Sequence, residues 1–295
     1  MAGRRKVSET AQDRVIELGD VNCLVRGRHG NFLANRYDTF VGLALVRYGE
    51  YGEFEWDVLS QLIKPGTTVV EVGANIGSHT VSLAKAVGPK GRVIAIEPQR
   101  IIHQYLAANI ALNALSNVEC HWAACGKEPG RLGVPQVDYF ASEFQNFGGL
   151  SLSEQEAGEH VPVVRLDDIM GHRSVQMIKI DVEGMEAQVL RGAAQLIATS
   201  RPVIYAENDR PKKSDELLSL LWSMNYRTFW HTPSLYNPNN FFGDEENIYS
   251  TIASFNVLCF PKEATLNVGD FAEITTLGSH PLTWTTADET DKIDP

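Results

Sequence analysis

Nowhere in its 295 residues does the chain carry an apolar run approaching the roughly 20 positions that a helix needs to cross a bilayer, so no membrane partner is expected. Positive charge near the start is not followed by an apolar core, which argues against a secretory leader. Cysteine is scarce: Cys23, Cys120, Cys125 and Cys259 form no CxxC pair and have no histidine cluster beside them. That argues against a zinc site and leaves reduced thiols in a cytoplasmic protein as the expectation, with no metal ligand set assigned. A basic surplus is also missing. With 26 Lys+Arg against 37 Asp+Glu the net charge is −11, which disfavours nucleic acid as a partner. The one basic cluster, Arg4-Arg5-Lys6, falls in a polar tail, and there is no internal repeat. What is present is a hydrophobic fraction of 43%, ample for a core.

Short apolar segments at Val21–Arg26 and Phe32–Ala34 flank Gly27-Arg28-His29-Gly30-Asn31 and read as a β-hairpin within an N-terminal extension, residues 1–47. A helix is expected from about Glu53 to Leu62, stopped by Pro65-Gly66. Thr67–Val72 is a β-branched run suited to a strand buried on both faces. Thr80, Leu83, Ala84 and Val87 then fall on one helical face. Further strands are read at Arg92–Glu97, Val118–Ala124, Met177–Asp181 and Pro202–Glu207, with helices after Pro98, at Val189–Ile197 and at Leu217–Trp222. Residues 125–160 break the pattern as an insertion over the sheet edge, and Val161–Arg165 is extended again. Tyr226–Trp230 and Phe255–Phe260 are expected to pair as an antiparallel edge hairpin. The alternation predicts an α/β fold, a doubly wound, Rossmann-like, mostly parallel seven-stranded sheet spanning 48–262, followed by a tail at 263–295.

In such sheets ligands sit at the carboxyl ends of strands. The first core strand ends in Glu71-Val72-Gly73-Ala74-Asn75-Ile76-Gly77. Gly73 permits a tight turn and Gly77 close helix packing. Asn75 stands where a dinucleotide fingerprint has its second glycine, which argues against a pyrophosphate and for a phosphate-free ligand such as S-adenosyl-L-methionine; a strand–helix turn holding no ligand is the plain alternative. Glu97-Pro98 closes the next strand about 24 residues after Gly73, where an acid can accept both hydroxyls of a ribose. Ala123 and Ala124 leave room for an adenine ring, or serve packing alone. Asp181 and Glu183 form an acidic lip. Asp181 can orient or deprotonate an acceptor hydroxyl; Glu183 can do the same, hold the cofactor's amino group, or serve as a helix-start acid. The same two acids can hold a cation, although nothing in the sequence requires one. His231 at a strand end is either a proton acceptor or structural. Phe140, Phe144, Phe147, Trp230, Tyr236, Phe241 and Phe242 offer aromatic surface for a small-molecule acceptor, or simply anchor irregular loops.

Taken together, Glu71–Gly77, Glu97-Pro98 and Ile180-Asp181-Val182-Glu183-Gly184-Met185-Glu186 with Leu190-Arg191-Gly192 resemble the FkbM-type methyltransferases, over roughly residues 48–260. The resemblance includes Tyr48-Gly49-Glu50-Tyr51 and Leu166-Asp167-Asp168; Glu71 stands where members often have Asp, and Val72 where they have Ile. It implies a class I S-adenosylmethionine-dependent enzyme that methylates oxygen on a sugar or natural-product scaffold. The alternatives are N-methyl transfer to an amine or peptide, a module that binds the cofactor without catalysis, and, disfavoured by Asn75, a nicotinamide oxidoreductase.

Overall fold

A computed structural model describes residues 14–153, 158–265, 268–269 and 271–282. The basic cluster at 4–6 and the polar end at 287–295 lie outside the described residues. Strands β1 (Val15–Leu18), β2 (Asn22–Arg26) and β3 (Asn31–Asn35) form an antiparallel sheet. It contains the expected hairpin and a third strand the sequence did not announce. Cys23, Val25, Phe32 and Ala34 alternate into the core, as a one-sided sheet requires. They pack against helix α4 (Arg100–Leu112), whose buried Asn109 accepts the Leu33 N–H at 2.6 Å and donates to the carbonyls of Leu33 and Ile76. One amide side chain thereby ties the N-terminal sheet to the turn after the first core strand. Helix α1 (Val41–Tyr48) completes this layer, while α2 (Glu53–Leu62), with the bounds read from the sequence, buries Leu59 against Leu83, Ala84 and Val87.

The central sheet is built from β4 (Thr68–Val72), β5 (Arg92–Ile96), β6 (Val118–His121), β10 (Met177–Ile180), β11 (Val203–Glu207), β12 (Tyr226–His231) and β13 (Asn256–Pro261), the seven strands expected, with the two-residue β14 (Glu273–Ile274) added at one edge. Its order is β14-β12-β13-β11-β10-β4-β5-β6. From β6 to β11 all pairings are parallel, and β13 is antiparallel to both neighbours. The expected pair β12–β13 forms, but β13 inserts between β11 and β12, so only β12 lies near the rim. The order in which strands are added reverses between β4 and β10, and that switch point fixes where a ligand crevice opens.

Two sequence readings shift. The run 118–124 is not one strand: β6 ends at His121, and β7 (Ala124–Cys125) joins a second three-stranded sheet with β8 (Gly130–Val134) and β9 (Glu159–Val164), closed by Leu132, Val134, Val161 and Val163. The region read as an insertion is therefore partly sheet. The helix expected across 189–197 is two, α6 (Glu186–Arg191) and α7 (Ala194–Ser200). A Cβ on Gly192 would lie 2.0 Å from the Gly126 carbonyl oxygen, and the Asp167 carboxylate accepts the N–H groups of Leu196 and Gln195, satisfying the restarted helix. Helix α3 (Ser78–Val87), α5 (Leu166–Met170) and α8 (Pro211–Ser223) complete the described elements. No helix among the described residues is long and apolar enough to cross a membrane.

Candidate active site

The switch point holds a cavity of about 370 Å³. Its walls include Glu71, Gly73, Asn75 and Glu97 from the first two core strands and Lys179, Asp181, Glu183 and Glu207 from the next two. Gly73 (φ +82°) and Asn75 (φ +50°) both take left-handed backbone, the first without cost and the second within the tolerance of asparagine. A Cβ on Gly73 would lie 1.8 Å from the carbonyl oxygen of Asp181, while the Asp181 N–H donates to Val72 O at 2.9 Å. The first turn and the acidic lip are thus in van der Waals contact through backbone. Gly77 (φ +87°) opens α3, whose first residues Ser78 and His79 line the cavity; a Cβ on Gly77 would press on Leu106 at 2.8 Å, so its role is helix packing, as its place in the turn predicts.

Glu97 is 3% exposed and oriented by two backbone donors, Asn75 N at 3.0 Å and Gln99 N at 2.9 Å. Burial pushes its carboxyl up to about 7, with Asp181 and Glu71 adding repulsion against the two N–H bonds. Beside it a narrow cleft is lined by Pro98, Ala123, Ala124, Leu150 and Met185, and shares Gly73, Glu97 and Asp181 with the cavity. Gln99, Asn146, Gly148 and Gly149 close over this end: Gln99 donates to Phe147 O at 2.7 Å and accepts from the Tyr139 hydroxyl at 2.8 Å. The turn has no side chain at Gly73, the oriented carboxylate of Glu97 lines the cavity, and the cleft beside it joins apolar side chains to the carboxylates of Glu97, Asp181 and Glu183.

Lys179, like Glu55 and Glu207, is a group the sequence reading missed. It sits within a strand buried throughout, opposite Glu71 on one side and Tyr205 on the other, and its ammonium reaches Asp181 Oδ2 at 3.2 Å. Burial works against its charge, but Asp181, Glu71 and Glu55 outweigh that and raise its pKa. A lysine inside the run Met177–Ile180 was the available signal, because an unpaired charge is not tolerated there. Glu71 accepts from Thr80 Oγ1 at 2.5 Å, and burial raises its carboxyl to about 7 even with Lys179 opposing. Glu55 and Tyr51, from the segment before the core, also line the cavity.

Glu183 adopts φ +55°, unusual for a residue with a side chain, and forms a close ion pair with Arg210. Burial and Asp181 push its carboxyl to about 7 while Arg210 opposes. Glu186 takes the part of helix-start acid, accepting Gly184 N at 2.9 Å. His231 is not brought to this cavity. Its Nδ1 pairs with the Tyr205 hydroxyl at 2.8 Å, and it lines a separate cleft with Phe54, Trp230 and Phe271. The aromatics read as acceptor surface are elsewhere too: Phe147 is core, Tyr236 packs on Tyr48, and Phe242 lies against Gly49. The rings that do line the cavity are Phe40, Tyr51 and Phe255.

A family model for the methyltransferase FkbM domain matches residues 71–228. The chain is similar to Methyltransferase 1 of Beauveria bassiana, 29% identical over 143 residues that cover 42% of this chain and 57% of that protein. It is likewise similar to Methyltransferase sdnD of Sordaria araneosa, 27% identical over 154 residues covering 42% of this chain and 59% of that one. The chain therefore spans less than two thirds of these curated relatives. Among solved structures it is similar to the methyltransferase FkbM of Methylobacillus flagellatus KT, at 21% identity and a TM-score of 0.45, covering 67% of this chain and 44% of that one.

Proposed function

The chain belongs to the FkbM methyltransferase family, and on that premise we propose that it transfers a methyl group from S-adenosylmethionine to a hydroxyl of a small-molecule acceptor such as a sugar or natural product. The observation that carries this reading is Glu97: a buried carboxylate oriented by two backbone N–H groups, one turn away from a glycine that admits no side chain. When bound, the sulfonium supplies an already activated methyl group. Glu97 would accept the ribose hydroxyls, Gly73–Asn75 would let the chain approach the amino-acid moiety, and Pro98, Ala123 and Ala124 would flank the adenine. Asp181, held by Lys179, would orient the acceptor hydroxyl and take its proton as oxygen attacks; Glu183, near neutrality, is the second carboxylate within the same lip. In-line alignment is the main catalytic contribution asked of the protein.

The acid surplus around the cavity is the one feature that favours N-methyl transfer to a cationic amine instead, and acceptor profiling separates the two. Calorimetry with S-adenosylhomocysteine and with NAD tests the donor reading. One equivalent of the former should bind with NAD silent at a hundredfold excess, as order of magnitude; binding of NAD alone refutes it. Asp181→Asn should cut turnover on a true acceptor by about a hundredfold or more, the usual contribution of a positioned base, and undiminished turnover removes Asp181 from that role.

A further inference from the structure

We infer that Asp181, Glu183 and Glu207 form a binding site for one hard divalent cation, of the Mg²⁺, Mn²⁺ or Ca²⁺ class, where β10 and β11 end. This goes beyond the methyl-donor reading and does not depend on it. Ile180 and Ala206 are register partners on adjacent parallel strands, so Asp181 and Glu207 leave the sheet side by side. One carboxylate oxygen from each of Asp181, Glu183 and Glu207 lies within 4.8 Å of the others. A cation bonded to oxygen at about 2.0–2.6 Å holds opposite ligands about 4–5 Å apart, so these oxygens fit around a single ion.

Glu207 supplies the independent sign. Asp181 has Lys179 and Glu183 has Arg210, but the Oε2 of half-buried Glu207 is withdrawn from solvent and finds no hydrogen-bond donor among the described residues. A buried carboxylate without a partner costs several kcal/mol unless a positive charge or donor meets it. The remaining neighbours increase the deficit of positive charge. Asp209 shares Arg210 at 3.2 Å, and Glu55 lines the same cavity. Acids thus outnumber the two cations Lys179 and Arg210 along this wall, and a dication lowers the excess. All-oxygen ligands select a hard metal rather than zinc or copper. Three protein oxygens leave coordination positions for water and for acceptor oxygens, so the site would favour acceptors carrying adjacent hydroxyl or carboxylate groups.

The probe is Mn²⁺ titrated into the full chain, with free metal read by electron paramagnetic resonance. One Mn²⁺ should bind per chain and be displaced by excess Mg²⁺. Glu207→Gln should weaken binding about tenfold or more, with S-adenosylhomocysteine affinity kept within about threefold as evidence of an intact fold. Glu183→Gln, on the other side of the ion, should weaken Mn²⁺ binding as well, with its fold checked by thermal melting. Mn²⁺ remaining free with wild-type protein overturns the proposal, as does wild-type affinity in both variants. Saturable binding of tetramethylammonium without Mn²⁺ also overturns it and assigns the acids to an organic cation. Failure of S-adenosylhomocysteine to bind while Mn²⁺ binds would refute the donor reading and leave this site standing.

Discussion

Replacing Glu97 with glutamine should uncouple cofactor affinity from pH. The wild-type carboxyl sits near 7 instead of 4.5, a displacement worth about 3 kcal/mol. Between those values the folded protein keeps a proton that the unfolded chain has released, so folding stability falls as pH rises through that window. Above pH 7 the buried charge is present in full, and ribose hydroxyls are the donors that would satisfy it. Affinity for S-adenosylhomocysteine should therefore be about tenfold weaker at pH 6 than at pH 8, following the ionised fraction of a group titrating near 7. In Glu97→Gln two charge-assisted hydrogen bonds are lost, each worth about 1.5–3 kcal/mol. The new amide also turns a donor toward either Asn75 N or Gln99 N. A net loss of about 3 kcal/mol, roughly 150-fold in Kd, is expected. Calorimetry at pH 6, 7 and 8 should show that loss and a flat profile in the variant, whereas Glu71→Gln should keep the slope. A loss under threefold, or an unchanged slope in Glu97→Gln, would refute the reasoning.

Gly73→Ala should cost about 3 kcal/mol or more in denaturant unfolding, because its Cβ meets the Asp181 carbonyl at 1.8 Å. Lys179→Met strands the buried charge of Glu71 and unpairs the partly exposed Asp181. It should destabilise by about 3–5 kcal/mol at pH 8 and by less at pH 6, where Glu71 takes up a proton, as thermal melts at both values would show. Glu50 is 4% exposed and accepts from Arg28 at 2.6 Å, Asn237 at 2.7 Å and Phe241 N at 2.8 Å. Glu50→Ala should lose about 3 kcal/mol and open residues 237–241 to limited proteolysis, leaving S-adenosylhomocysteine affinity intact.

Much of this arrangement was legible because strand ends announce themselves. The glycines of 73–77 and the acids at 97, 181 and 183 stand at boundaries between β-branched runs and helical periods, and the structure gathers Gly73, Asn75, Glu97, Asp181 and Glu183 at one cavity. What stayed hidden depends on which strands become neighbours. Lys179 facing Glu71, and Glu207 beside Asp181, follow from the register of β10 against β4 and β11, which no local pattern encodes. His231 was misplaced for the same reason. It closes a strand at the correct end, but β13 lies between β12 and β11 and holds it away from the switch point. The break in the run 118–124 depended on β7 finding β9 some forty residues later, a tertiary preference that local sequence does not encode.

The pairing of β4 with β10 also sets an order of events during synthesis. Val69 lies opposite Met177, so the middle of the sheet waits for more than a hundred residues of later chain. On a ribosome the turn at Gly73 and the carboxylate of Glu97 can form early through β4 and β5, exposing β4 as a naked apolar edge until its partner emerges. Such an edge is a template for pairing with another chain. A nascent or truncated product ending before Met177 would hold half a binding site and a strong tendency to aggregate, which makes the arrival of β10 the step that both completes the pocket and protects the chain.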